Sequence, residues 1–331
     1  MAQRLTVAPL IPTLLISIPL VLAGCDTNQD SLQKQEVTKS PIEQDAKITG
    51  LGTKLMMASA NEAGVNSASP PGPPVPNFSN YINVNEKKQD FFTYMSSLAD
   101  IINTKVTSLR RQLKLINPQD ITQQQIDQLQ ILSETYRIKT PDPEKQLALL
   151  LHKINTVPKS LILAQAANES AWGTSRFAVQ GNNLFGQWCF KAGCGLVPID
   201  RNSDSSHEVR RFTNPQESVE AYITNLNGHP SYTILRQIRQ CLINYNEPVT
   251  GRALAAGLQY YSSRGIEYIN EIRSLIKANQ LESWAQSWWG NTANHPCSSL
   301  VTIQHPTEES VATSAVNAAK VDIDLANISQ Q

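Results

Sequence analysis

An excess of charge of either sign is what this sequence most lacks: 28 basic residues stand against 28 acidic ones in 331, and charged residues make up only 17%. No basic cluster appears along the chain, which excludes the electrostatic footprint of a nucleic-acid partner. Metal-ligand spacing is missing too. With five cysteines and five histidines, there is no Cys-x-x-Cys and no His-x-x-x-His, so neither a zinc site nor any cofactor is read. The apolar run at residues 10–22 is interrupted by Pro12 and Pro19 and is too brief to span a bilayer as a mature helix.

That run reads instead as the core of an export signal, with Arg4 ahead of it and small residues behind. It ends in Leu22-Ala23-Gly24-Cys25, which resembles a bacterial lipobox. The resemblance implies that residues 1–25 are a lipoprotein signal and that Cys25 becomes the lipid-modified first residue. The alternative is an ordinary cleavage site that happens to precede a cysteine. Asp26 resembles the enterobacterial inner-membrane retention signal, so the expected location is the periplasm, with a lipid anchor in the inner membrane. Setting Cys25 aside leaves an even number of cysteines, as suits an oxidising compartment. Cys189 and Cys194 are expected to staple a small loop, and Cys241–Cys297 is a candidate second bridge.

Residues 26–84 are polar and end in a proline-rich stretch, read as a disordered tether. Residues 291–331 read as a disordered tail. Between them the pattern is mostly helical. Residues 86–116 carry apolar positions at helical spacing, from Phe91 and Met95 to Leu113, and residues 122–136 repeat this with Ile126, Leu129 and Leu132. These two form an N-terminal helical extension over residues 85–140. Residues 141–290 are the expected catalytic domain. After Trp188 come short turn-bounded segments with β-branched or aromatic residues, at Trp188–Phe190, 195–199 and 207–212, which suggest a small hairpin lobe. Helix resumes at Asn214-Pro215-Gln216-Glu217, an N-cap, a first-turn proline and a capping-box glutamate. Glu217 therefore has a structural job.

The centre of the chain is residues 161–188, LILAQAANESAWGTSRFAVQGNNLFGQW. A helix from Pro158 to Trp172 is expected, buried through its alanines and stopped by Gly173. It carries Gln165, Glu169 and Trp172 on one stripe. A carboxyl beside a tryptophan at the end of a buried helix should lose solvation and have its pKa raised, as a general acid needs. A solvated surface glutamate is the ordinary alternative.

The segments NESAWGTSRFA, GNNLFGQWCFKAGCGLVP, SHEVRRF and LAAGLQYYSSRG occur in that order. Together they resemble the glucosaminidase domain of glycoside hydrolase family 73, in its Bax-type branch, from about Gln89 to about Leu281. The resemblance implies an α+β, mostly α fold: a lysozyme-like helical core with a small antiparallel β lobe. It also implies cleavage of peptidoglycan glycan strands after N-acetylglucosamine. By it, Glu169 is the acid, and Glu208, 39 residues on, occupies the place of the lobe glutamate. The ordinary reading of Glu208 is a charge pair with Arg210 or Arg211. Asp200 and Asp204 are weaker candidates, more naturally turn residues. Tyr268 resembles the family's cleft tyrosine, with Tyr261 as runner-up; either is also consistent with a helix's apolar face. Asn183, Phe185 and Trp188 look like a cleft floor that, with Gln165 and Trp172, would bind substrate. Two other readings stay open. One is a lytic transglycosylase, although the usual Gly-Leu-Met-Gln stretch is replaced by Asn183-Leu184-Phe185-Gly186. The other is a wall-binding lipoprotein without activity.

Overall fold

The longest helix, α1 (Val84–Lys114), begins where the Asn83 side chain accepts the N–H groups of Asn85 and Glu86. Phe91, Met95, Leu98, Ile102, Val106, Leu109 and Leu113 recur at spacings of three and four and are all buried, the stripe expected of an amphipathic helix. The computed structural model describes residues 73–199, 207–282 and 295–301, which lie within one compact unit. The signal with Cys25 and Asp26, most of the tether, Asp200 and Asp204 and most of the tail lie outside the described residues. Among those described, no helix is long and apolar enough to cross a membrane.

The fold is mostly helical. Helix α2 (Gln123–Thr135) opens on a reciprocal capping box between Thr122 and Gln125, and α3 (Pro143–Lys153) on Asp142 with a first-turn proline. Buried α4 (Lys159–Glu169) packs along α1, and short α5 (Arg176–Gly181) follows. Next come α6 (Pro215–Gly228), α7 (Thr233–Asn244), α8 (Gly251–Leu254) and α9 (Ile266–Ala278). Glu217 caps α6 as expected, its backbone N–H donating to Asn214 Oδ1 while its carboxylate accepts from the Thr213 N–H. Arg239 of α7 donates to Lys153 O and Asn227 Oδ1, tying the ends of α3 and α6 together.

The small lobe is a three-stranded antiparallel sheet of β1 (Trp188–Cys189), β2 (Gly195–Leu196) and β3 (Glu208–Arg210), in the order β1-β3-β2. It is shorter than the sequence suggested, and its last strand is the central one. Cys189 and Cys194 are disulfide-bonded. That short bridge brings β1 and β2 to opposite edges of β3, with Cys189 opposite Glu208 and Gly195 opposite Arg210. A side chain at Gly195 would meet Val209 O at 2.0 Å, so only glycine fits there.

Three expectations need correction. The chain is already packed within the stretch assigned to the tether: Phe78, in a 3₁₀ turn (Phe78–Asn80), is 1% exposed against Phe91 and Tyr94. Part of the assigned tail is also anchored, because Cys297 is buried and bonded to Cys241, ahead of the short α10 (Ser298–Val301). And α4 stops at Glu169 rather than Trp172. Ala171, Trp172 and Gly173 all have positive φ, at 50°, 59° and 75°. The Ser170 hydroxyl locks this turn, donating to Ala166 O and accepting from the Gly173 N–H. Left-handed alanine and tryptophan cost on the order of 1 kcal/mol or more each, offset by this bonding and by packing against α1.

Gly173 meets both demands at once: its φ is left-handed, and an added Cβ would lie 2.5 Å from the Phe78 ring. Gly173→Ala is expected to destabilise the protein by about 2–4 kcal/mol, combining backbone strain and overpacking. A urea-denaturation midpoint equal to wild type would contradict this account of the turn.

Candidate active site

Gln165 and Glu169 lie one turn apart on α4 and so share a stripe. Gln165 is fully buried, whereas Glu169, at the last helical position, is half-buried and reaches the surface. Helix α9 faces them with Tyr268 in its first turn, 1% exposed and held by Ile269, Ile272 and Ile276 on the same apolar face.

These side chains form a directed chain of hydrogen bonds. The Tyr222 hydroxyl of α6 donates to Gln165 Oε1, and Gln165 Nε2 donates to the Tyr268 oxygen at 2.8 Å. The Tyr268 hydroxyl donates to Glu169 Oε1 at 2.7 Å. Because Tyr268 has one hydrogen and already accepts from Gln165, that hydrogen goes to Glu169. Burial, with the Glu169 charge nearby, holds the hydroxyls of Tyr222 and Tyr268 well above their ordinary pKa, so they stay donors. Oε1 is thereby occupied, and a proton on Glu169 belongs on Oε2. The turn carrying Gly186 comes close on that side, a Cβ there lying 3.9 Å from Oε2.

Burial raises the Glu169 pKa above its ordinary 4.5; the bonds from Tyr268 and Asn168 and the charge of Arg264 pull it back only in part. Desolvation therefore prevails, and the carboxyl is inclined to keep its proton.

Several side chains expected to touch substrate are interior. Asn183 is 1% exposed: Nδ2 donates to Gln187 O and Arg210 O, and Oδ1 accepts from the N–H groups of Phe185 and Gln187. It fixes the Asn183–Gln187 turn and ties it to β3. Phe185 is fully buried, stacked on Tyr222 with ring centroids 4.0 Å apart. Tyr261 stacks on Tyr268 at 5.3 Å and donates to Phe185 O. With Gln165, these residues shape the site from behind, because none keeps surface for a sugar. Trp172 departs differently: the left-handed turn swings it from the α4 stripe onto Phe91 and Phe92 of α1, with the Lys88 ammonium 5.0 Å from its ring centroid. Trp188 remains half-buried and stacks on His207 at 4.1 Å.

Glu208 sits in the central strand, 7% exposed. One carboxylate oxygen accepts from the Gly193 N–H at 2.9 Å and the other from the Gly195 N–H at 2.7 Å. Gly193 belongs to the loop stapled by the disulfide, and Gly195 opens β2 directly after it. Cys189 and Cys194 are spent in that bond, so with Glu208 they make no metal site despite their proximity.

Sequence reasoning missed Tyr222. It sits within an ordinary apolar stripe, Val219, Tyr222, Ile223 and Leu226, and nothing local marks its hydroxyl as a partner of Gln165. The close approach of Gly186 to Oε2 was missed as well, although its positive φ of 65° is a use to which glycine is suited.

Residues 145–281 match the glucosaminidase family, described as mannosyl-glycoprotein endo-beta-N-acetylglucosaminidase. This match and the next support a resemblance to Bax-type glucosaminidase-family proteins over that segment. The chain is 34% identical to Protein bax of Escherichia coli (strain K12) over 154 residues, covering 46% of this chain and 54% of that protein. The chain thus spans about half the length of the curated relative it matches. No solved structure matches it. The matched segment contains Glu169, Glu208, Tyr222 and Tyr268, while α1 and α2 precede it. The match suggests a glycosidase-type domain and a glycan ligand.

The raised pKa of Glu169 carries a stability signature. The folded state keeps this proton at pH values where the unfolded chain has lost it. Stability therefore falls as pH rises from about the ordinary 4.5 through the raised folded value. Glu169→Gln, which retains an acceptor for Tyr268, should match wild type in thermal melts near pH 4. By pH 8 it should melt at the higher temperature, and a constant difference across that range would contradict the shift. In Tyr268→Phe, loss of a bond that lowers the pKa should move the alkaline limb of any pH–activity profile upward.

Proposed function

We propose that this protein is a peptidoglycan hydrolase, an endo-β-N-acetylglucosaminidase that cuts the β-1,4 bond after N-acetylglucosamine. The observation that carries this reading is the Glu169 carboxyl, desolvated at a helix end and bonded through Oε1 to Tyr268. Neutral Glu169 gives its Oε2 proton to the leaving glycosidic oxygen as the bond breaks. Positive charge then builds at the anomeric carbon, and Glu208 is the carboxylate assigned to stabilise it or to activate water. Tyr268 keeps the acid in one rotamer and, as the proton leaves, its hydrogen bond stabilises the carboxylate left behind. A general acid in the place of Glu169 contributes about 10²–10⁴-fold in rate. No metal or organic cofactor enters the scheme.

A lytic transglycosylase is the second reading, and one observation favours it. Both Glu208 oxygens are engaged by the backbone amides of Gly193 and Gly195, whereas a transglycosylase needs only the helix acid, because the sugar's own 6-hydroxyl closes on the anomeric carbon. We further propose export with the signal in residues 1–25, lipid on Cys25, and the periplasm as the working compartment, with Asp26 favouring the inner membrane.

Mass spectrometry of products from purified sacculi separates the two chemistries. Reducing-end N-acetylglucosamine is expected; 1,6-anhydro-N-acetylmuramic acid would replace the hydrolase reading with the transglycosylase. Glu169→Gln should lose at least about 100-fold in rate. A variant that clears a peptidoglycan gel as fast as wild type would remove Glu169 from the mechanism. Cys25→Ser should release the protein from the membrane fraction.

A further inference from the structure

A groove of about 760 Å³ runs along α1, floored by Leu163 of α4 and closed on its far side by Asn279 and Leu281 at the end of α9. It belongs to neither element alone: one wall precedes the glucosaminidase match, and the floor and far wall lie within it. The α1 wall is a second stripe at helical spacing, distinct from the buried one. It comprises Asn85, Gln89, Phe92, Ser96 and Asp100, where the core stripe has Phe91, Met95, Leu98 and Ile102. Asn85 and Asp100 are fifteen residues apart, about 22 Å of helix. That length suits a chain of linked rings better than a single small molecule.

The groove reaches the turn that follows Glu169. Helices α1 and α4 run antiparallel: Asp100 pairs with Lys159 at the start of α4, and Phe92 meets Trp172 at 5.1 Å just beyond its end. Phe92 lines the groove, and Trp172 is three residues past Glu169. The left-handed turn that ends α4 after its catalytic position thus also presents Trp172 to the groove wall.

Its chemistry selects the occupant. The lining mixes the amides of Asn85 and Gln89 and the hydroxyl of Ser96 with the apolar surface of Leu163, Leu281 and half-buried Phe92. The Asp100 carboxylate is balanced by Lys159, and the Lys88 ammonium lies over the Trp172 ring. A nearly neutral trough that alternates apolar surface with amides suits a sugar chain, whose rings present C–H faces and hydroxyl edges, better than an acidic peptide. Ser96 and Ser97 are small, and serine is a weaker helix former than alanine, by up to about 0.5 kcal/mol each. Larger residues here would fill the trough.

We propose that this groove is a glycan-binding site on the N-terminal helix, beside the turn that follows Glu169, and that it holds a stretch of the sugar strand remote from the cut. The proposal rests on the glycan-hydrolase reading above and would make the extension part of substrate recognition.

The test compares wild type with Asn85→Ala/Gln89→Ala, two exposed positions where alanine favours helix, and with Ser96→Trp, which fills the trough. Substrates are peptide-free glycan strands of many disaccharides, a tetrasaccharide, and strands bearing stem peptides. Both variants should raise KM on long peptide-free strands about tenfold, leaving kcat and tetrasaccharide turnover unchanged. Unchanged KM on long strands for the alanine variant, in an otherwise active enzyme, overturns the proposal. So does a loss confined to peptide-bearing strands, which would give the groove to the peptide. Calorimetric binding of the same peptide-free strands to Glu169→Gln, with and without the groove substitutions, needs no turnover. Weaker binding with the substitutions supports the site even if the enzyme cuts elsewhere or not at all, and equal binding removes it.

Discussion

The site depends on a single hydroxyl hydrogen, the one Tyr268 points at Glu169 Oε1. A half-buried carboxyl with two equivalent oxygens has no preferred place for its proton. A fixed donor on one oxygen leaves only the other to carry it. Tyr268 is a fixed donor because Gln165 occupies its oxygen, and Gln165 is oriented because Tyr222 occupies Oε1 of its amide. Polarity thus runs in one direction across three helices, α6, α4 and α9, toward the half-buried carboxyl of Glu169. In a low-dielectric interior such a chain is valuable only when every member is satisfied, which explains why the aromatic rings of Phe185 and Tyr261 are spent packing against it.

The end of α4 resolves a conflict between drying a carboxyl and presenting it. A glutamate in the middle of a helix as buried as α4 would be sealed in, and one on an exposed helix would be fully solvated. Ending the helix at Glu169 with three left-handed residues places the carboxyl where the wall of the core opens. The strained turn is supported from outside the matched segment, by Phe78 against Gly173 and by α1 against Trp172. The N-terminal extension is accordingly part of the site's mechanical foundation, since it packs against the turn that positions the acid.

Local rules made much of this legible in the sequence. The stripes of α1 and α2, the Asn214–Glu217 cap and the loop disulfide each follow from spacings within a few residues. Glu169 stood out because a carboxylate followed a run of small apolar residues and preceded a glycine stop. What sequence misjudged was sidedness. Asn183, Phe185, Gln165 and Tyr261 were assigned to the sugar, yet each faces inward, where a polar residue beside a functional turn is needed to satisfy buried backbone. Trp172 kept its helical phase in the sequence reading and lost it in the structure, because two non-glycine residues adopted positive φ. Phe78 was hidden by its proline-rich surroundings; one aromatic is enough to anchor a stretch whose composition suggests disorder.

Glu208 is where fold and chemistry make competing demands. Its two oxygens answer the N–H groups of Gly193 and Gly195, in and directly after the loop whose ends are joined by Cys189–Cys194. A carboxylate so engaged is rigid, which suits a group that must stand at a fixed distance from an anomeric carbon. Rigidity also means that it cannot swing toward substrate without giving up both of these bonds, each a charge-assisted contact of about 1.5–3 kcal/mol. A two-carboxyl mechanism therefore uses Glu208 where its strand and two amide bonds hold it, with the disulfide keeping strand, loop and carboxylate together. A one-carboxyl mechanism makes no demand on it. The cost of releasing Glu208 thus makes a fixed carboxylate, rather than a rotating one, the group open to a hydrolase.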